Sequence, residues 1–113
     1  RPEADHAATE LTARTTADTT DLREAAETHA ARVRTEAEQA ATEHTDRTTD
    51  ETTALIEAAE THPYHDRTDA EQAATALTDR TTAETTALRD AAEAHATRVR
   101  TEAEQAATEL TDR

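Results

Sequence analysis

Three histidines, His29, His62 and His95, recur at a spacing of 33 residues. Imidazole side chains ligate transition metals or titrate near neutral pH, so this spacing raises a metal site or a pH sensor as hypotheses. Along one helix, 33 residues span about 50 Å. The three side chains therefore cannot share an ion unless chains associate. We interpret them as a repeated polar position beside a packing seam.

A tighter group of possible ligands is formed by His62, His65 and Asp66, because histidines three residues apart on a helix can converge. Pro63 lies inside this group, and no fourth ligand is evident. The sequence therefore predicts no metal and no cofactor, and this cluster is kept as the one alternative.

The sequence lacks the residue types that most catalytic motifs require. The chain has no Ser, Cys or Gly, so it lacks the usual nucleophiles and any glycine-rich phosphate loop. Carboxylates are abundant, but general acid–base work needs an enclosed apolar pocket that separates two pKa values. We predict that the protein is not an enzyme and has no small-molecule substrate.

The composition excludes a compact globule. Ala supplies 28 of the 113 residues and Thr 26, whereas only ten apolar residues are larger than Ala. The net charge is −14, from 26 acidic and 12 basic residues. Such a chain is repelled by nucleic acids, and binding to a membrane or lipid is disfavoured. No signal peptide and no apolar run of about 20 residues is present, so we expect a soluble chain, with a cytoplasmic location slightly favoured.

The sequence repeats every 33 residues as three units of eleven, and eleven residues are close to three turns of α-helix. We therefore expect helices to position the histidines and the other polar residues. The eighth place of each unit holds the larger residue, and these places predict the packing seam: Leu11, Leu22, Val33, His44, Leu55, Leu77, Leu88, Val99 and Leu110. Places four and eight residues further along, mostly Ala and Thr, share that face. Eleven residues make about three helical turns, which favours a right-handed or nearly straight coiled coil.

The repeat is broken once, where Pro63 and Asp66 replace the expected pattern. Proline removes a backbone donor and ends or kinks a helix. We predict a first long helix over residues 1–61, a turn or kink over 62–67 and a second long helix over 68–113. The fold is then all-α, and we favour an antiparallel hairpin that self-associates. Folding about residue 66 would place Leu55 opposite Leu77, and His44 opposite Leu88. The alternative is one long kinked helix in a multi-chain coiled coil.

The pattern AEQAATELTDR, TTAETTALRDA, AEAHATRVRTE resembles the eleven-residue coiled coils of actinobacterial cytoskeletal and polar-growth proteins. That resemblance implies a filament or scaffold role. The period is also similar to that of exchangeable apolipoproteins, which implies a helix lying on lipid. The chain departs from the second group because it has no Lys and only one aromatic residue.

We therefore expect a non-catalytic structural coiled-coil segment acting as a stalk, spacer or scaffold element, with further copies of itself as partners. Two alternatives stay open. One is an amphipathic helix that binds a lipid or other surface. The other is a stress-protective or ice-active polar helix.

Overall fold

A computed structural model describes residues 1–61 and 64–112, with the backbone alone for 64–66. It contains two α-helices, α1 from Pro2 to Ala59 and α2 from Tyr64 to Asp112. No strand occurs in this part of the chain. The prediction of an all-α fold made of long helices is confirmed.

Helix α1 begins at Pro2, where the missing backbone donor costs nothing because the first helical residues have no partner for it. Glu3 and Asp5 lie in the first turn, where carboxylates interact favourably with the helix dipole. Threonine is a weak helix former because it is branched at Cβ, but many of its hydroxyls donate to a backbone carbonyl one turn earlier. Thr9 Oγ1 donates to the Asp5 carbonyl at 2.8 Å. Threonine hydroxyls are thereby satisfied inside the helix.

Helix α1 ends close to the predicted break, and the Glu60 N–H still donates to the Ile56 carbonyl at 3.0 Å. Helix α2 begins at Tyr64, four residues before the predicted start at 68. Predicted break residue Pro63 lies outside the described residues, and Asp66 lies in α2 with its side chain undescribed. A helix can begin this close to a proline because its first turn needs no backbone donor.

The chain divides into two packing units. Unit 1 contains Arg1–Arg34 and Glu93–Arg113, and unit 2 contains Thr35–Ala92. In unit 1, Arg23 contacts Glu104 and Arg34 contacts Glu93. In unit 2, Arg89 contacts Glu38 and His44 contacts Glu84. In each unit residue numbers rise on α1 as they fall on α2, so the helices pair antiparallel. The hairpin is confirmed over the single kinked helix.

The register differs from the predicted one. The point halfway between Arg23 and Glu104 lies between residues 63 and 64, and the same holds for the other three Arg–Glu pairs across the helices. Folding about residue 66 is therefore wrong. His44 Nε2 lies 2.9 Å from Glu84 Oε2, whereas the predicted neighbour Leu88 is one turn away. Large side chains placed directly opposite each other would hold the helices apart, and the shift avoids that.

The core in each unit consists only of small residues. Every buried residue in the described part of the chain is Ala or Thr. Along each helix the spacing between successive buried residues alternates between seven and four. The one spacing of eleven runs from Thr48 to Ala59, where the intervening Thr52 is half-buried. In unit 1 the buried residues are Thr19, Ala26, Ala30, Ala96, Ala103 and Ala107; in unit 2 they are Ala37, Ala41, Thr48, Ala59, Ala74, Thr81, Thr85 and Ala92. We call this set the small-residue seam. Each position except Ala74 lies four or eight residues after one of the nine predicted seam residues, and Ala74 lies eight residues after Asp66 at the break in the repeat.

Ala30 offers a direct test of the seam because it has no exposed surface, whereas its neighbour Ala31 is exposed. Leucine at position 30 would force the helices apart or strain their side chains, so we expect Ala30→Leu to lower the free energy of unfolding by about 1–3 kcal/mol. Ala31→Leu is the matched control and should change it little. Urea denaturation followed by circular dichroism measures both. Equal stability of the two variants would contradict the packing described.

Candidate functional site: the seam and its two flanks

The small-residue seam contains hydroxyl groups that must find partners, since an unpaired buried polar group is costly. Thr48 Oγ1 and Thr81 Oγ1 lie 2.8 Å apart across the seam of unit 2. Thr85 Oγ1 donates to the Thr82 carbonyl at 3.0 Å, and in unit 1 Thr19 Oγ1 donates to the Thr16 carbonyl at 2.9 Å. Among the described residues no buried side-chain polar atom is left without a partner. Each buried threonine hydroxyl thus has a partner within the protein.

One flank of the seam carries ion pairs between the helices, and we call it the ionic flank. In unit 1, Arg23 Nε lies 2.9 Å from Glu104 Oε2 and Arg100 Nε lies 2.6 Å from Glu27 Oε1. Both guanidinium groups bind their carboxylate through two nitrogens, the geometry that suits this pairing best. The set is Arg23, Glu27, Arg34, Glu38, Arg89, Glu93, Arg100 and Glu104.

Ion pairing shifts the pKa of the glutamates on the ionic flank. Hydrogen bonds from Arg23 hold the pKa of Glu104 below its ordinary value, and hydrogen bonds from Arg100 do the same for Glu27. In return Glu104 raises the pKa of Arg23. Because these side chains are exposed, each pair is worth little by itself and is screened by salt. The flank chiefly fixes which residues lie opposite each other.

The ionic flank was not predicted from the sequence. Arg34 and Arg100 belong to the Arg-rich segments 32–34 and 98–100, and both bind glutamates of the opposite helix. A signal was present. All eight residues form Arg-to-Glu steps of four that keep one place in the eleven-residue unit, as in Arg23 and Glu27.

The predicted seam residues occupy the other flank, which we call the apolar flank: Leu11, Leu22, Val33, His44, Leu55, Leu77, Leu88, Val99 and Leu110. On a helical projection Leu22 and Arg23 lie about 100° apart, with Ala26 and Ala30 between them. The larger residues therefore border the core instead of filling it. Leu11 is 60%, Leu55 40% and Leu88 38% exposed, so these three leucines do not lie in the core between the helices.

The remaining six members of the apolar flank are half-buried: Leu22, Val33, His44, Leu77, Val99 and Leu110. They cover the edge of the small-residue seam and still present part of their surface outward. The physical reason is the close approach of two Ala- and Thr-lined helices, which leaves no room for a Leu or Val between them. Hydrophobic surface is consequently left on one side of each unit.

The structure gives the histidines different surroundings. His29 of α1 and His95 of α2 meet edge to face in unit 1, with ring centres 5.6 Å apart. The prediction that they lie far apart along one helix is corrected by the antiparallel fold. His6 contacts Glu10 at 3.1 Å on α1, and His44 contacts Glu84 across unit 2. The cluster of His62, His65 and Asp66 lies outside the side chains that the structure describes.

Neither a three-ligand metal site nor a membrane-crossing helix has a structural basis in the described residues. No group of three or more His, Cys, Asp or Glu side chains is arranged to hold a metal ion. Neither described helix has a stretch apolar enough, over sufficient length, to cross a bilayer.

The chain matches no protein-family model, no curated protein and no solved structure. Its class is defined by its own geometry. It is an all-α protein of two long antiparallel helices, with a core of small residues between an ionic and an apolar flank.

The bond between Thr48 and Thr81 gives a prediction that separates partner loss from hydroxyl loss. Thr48→Val leaves the Thr81 hydroxyl buried without its partner and should cost about 1 kcal/mol of unfolding free energy, or somewhat more. Replacing both residues by Val should recover most of that loss, because no hydroxyl is then left unpaired. A double-mutant cycle by urea denaturation measures the coupling. Strictly additive effects of the two substitutions would show that the bond carries no energy.

The lowered pKa of Glu104 predicts a pH dependence. A carboxyl whose folded pKa is lowered contributes stability that is present above its ordinary pKa of about 4.3 and is lost as the pH falls through the folded value. Glu104→Gln removes that contribution. We expect this variant to be less stable than Glu109→Gln at pH 7, and the difference to shrink as the pH falls below about 4.

Glu109→Gln is the matched control because Glu109 is an exposed carboxylate of the same helix, and its replacement changes the net charge equally. Thermal unfolding at low ionic strength measures both variants. A difference that stays constant from pH 7 to the acid limit would contradict the assigned pair.

Proposed function

We propose that this chain is a non-catalytic structural element, a stalk, spacer or scaffold segment, whose helical hairpin associates with further copies through the apolar flank. The observation that carries the proposal is that the two helices bury small residues against each other and leave larger apolar residues at the surface. Pairing of α1 with α2 buries the Ala and Thr face, whereas Leu11, Leu55 and Leu88 stay exposed. Apolar side chains arrayed at regular spacing on one side of a protein commonly mark an interaction surface.

A second copy fits this flank better than an unrelated partner. When two identical flanks meet about a twofold axis, each Leu or Val of one copy lies against the same kind of residue in the other. The border of the flank in unit 2 carries both signs of charge, Arg80 and Glu84 being 3.8 Å apart. Charges of both signs allow a self-complementary rim. The net charge of −14 opposes association, and salt screens that repulsion.

The resemblance to actinobacterial eleven-residue coiled coils supports the same assignment. Those proteins are rich in Ala, Thr, Glu and Arg, and their helices act as filaments or scaffolds. A seam made only of Ala and Thr buries little area for each residue, so further packing of the larger residues would add stability that two helices alone lack.

A second candidate function is binding to a lipid surface, and the exposed leucines of the apolar flank favour it. The flank is narrow, however, and its only large apolar residues are aliphatic. Anchoring aromatic and Lys residues, which strengthen interfacial binding, are missing from it. Addition of neutral or cationic vesicles tests this candidate, which requires a gain in vesicle-bound protein. The stress-protective or ice-active alternative requires a disordered chain in plain buffer.

Light scattering after size-exclusion chromatography tests self-association. We expect a mass above the 12.3 kDa of one chain at micromolar concentration, rising with ionic strength. The variant Leu55→Gln with Leu88→Gln should remain helical but become monomeric, because both side chains are exposed on the apolar flank and contribute little to the core.

Ile56→Gln is the matched control, since Ile56 is an apolar residue at the helical position that carries arginine on the ionic flank. It should keep the oligomer. A wild-type chain that is monomeric at all concentrations and salts would overturn the proposed association. Circular dichroism of mostly unfolded chain in plain buffer would overturn the structural role itself.

A further inference from the structure

His29 and His95 form a contact that the repeat by itself does not explain. They are 66 residues apart, at the same place in the first and third 33-residue repeats, and the antiparallel fold of unit 1 brings them together. Their ring centres are 5.6 Å apart and their planes are inclined by 78°. Both side chains are half-buried. Two imidazoles from different helices thus share one small region beside the seam.

The surroundings leave the ring nitrogens of His29 and His95 available to bind a ligand. His6 and His44 are each paired with a glutamate, whereas the structure records no hydrogen bond or ion pair for His29 or His95 among the described residues. The residues three and four positions away on their own helices are Ala, Val and Arg. No carboxylate lies at those spacings, so neither ring is positioned by an acidic neighbour on its own helix.

The separation of the rings suits a shared ion. A zinc–nitrogen bond is about 2.1 Å, which places the ion roughly 3.2 Å from each ring centre. Two imidazoles on a tetrahedral ion then have their centres about 5.2 Å apart, close to the 5.6 Å seen here, and binding requires the edge-to-face rings to rotate until a nitrogen of each faces the ion. Neutral imidazole is a good ligand for zinc, nickel and copper and a poor one for magnesium.

We propose that His29 and His95 together bind one zinc-class transition-metal ion, which links α1 to α2 within unit 1. The two nitrogens are the protein ligands, and water fills the other positions. The site lies within a single chain, so it does not depend on the proposed self-association. Binding would stabilise the folded pair of helices, because the unfolded chain does not hold the two histidines together.

Isothermal titration of the full chain with zinc chloride at pH 7.5 tests the site. We expect one ion per chain. In His29→Ala and in His95→Ala the affinity should fall by about tenfold or more, since each variant loses one of the two ligands. Alanine favours helix, so both variants should keep the helicity of the parent. Circular dichroism without metal checks this for each.

Two controls exclude other sites. His62→Ala removes the middle member of the 33-residue series, and His44→Ala removes the histidine that is paired with Glu84. Both variants should bind zinc as the parent does. Magnesium chloride in excess should not compete, whereas binding to scattered carboxylates would be displaced by it.

Nuclear magnetic resonance gives a readout independent of heat. Zinc should shift the imidazole C–H signals of His29 and His95 together, at the same metal concentration, and leave those of His6 in place. The proposal is overturned if His29→Ala or His95→Ala binds zinc with parental affinity. It is equally overturned if His62→Ala abolishes binding, because the ion would then belong to the cluster near residue 63.

Discussion

Close packing of small side chains between two antiparallel helices is the constraint on which the rest of this structure depends. Every buried position in the part of the chain whose side chains are described is Ala or Thr, and Ala30, Ala41, Ala96 and Ala107 expose no surface at all. Helices that approach this closely exclude Leu and Val from the space between them. Each threonine in the seam must also satisfy its hydroxyl locally or across the seam, because a buried hydroxyl without a partner is costly. Both flanks take their character from this exclusion.

The two flanks solve different problems. A seam of methyl groups and hydroxyls buries little area and discriminates weakly between registers. Paired arginines and glutamates supply discrimination, since a shift of one turn would set Arg23 opposite Arg100, or Glu27 opposite Glu104, in unit 1. In a chain with 26 acidic residues, eight of the charged side chains on this flank are neutralised in pairs. The apolar flank holds what the seam excludes, and its surface is the feature best suited to a partner.

The 33-residue repeat explains how two histidines come into contact although no local sequence motif predicts it. A residue type that recurs every 33 positions meets its own copy when the chain folds back on itself, provided that the fold lies near the middle of the series. His29 and His95 meet in this way in unit 1, whereas along an isolated helix they would be about 100 Å apart. A duplicated helix therefore acquires paired groups through its topology, without any local signature.

The sequence by itself determined that the chain is helical, that it repeats in elevens and that it breaks near Pro63, because these depend on local propensity and on the missing donor of proline. It also indicated which face would pack, since positions four and eight residues after each larger residue are Ala or Thr. Tertiary structure alone decided that Leu11, Leu55 and Leu88 border the core, that Arg34 binds Glu93 rather than a residue of its own helix, and that His44 lies beside Glu84. An eleven-residue pattern is compatible with several antiparallel registers. Only the distance at which two helices can approach, and the pairing of charges at that distance, chooses among them.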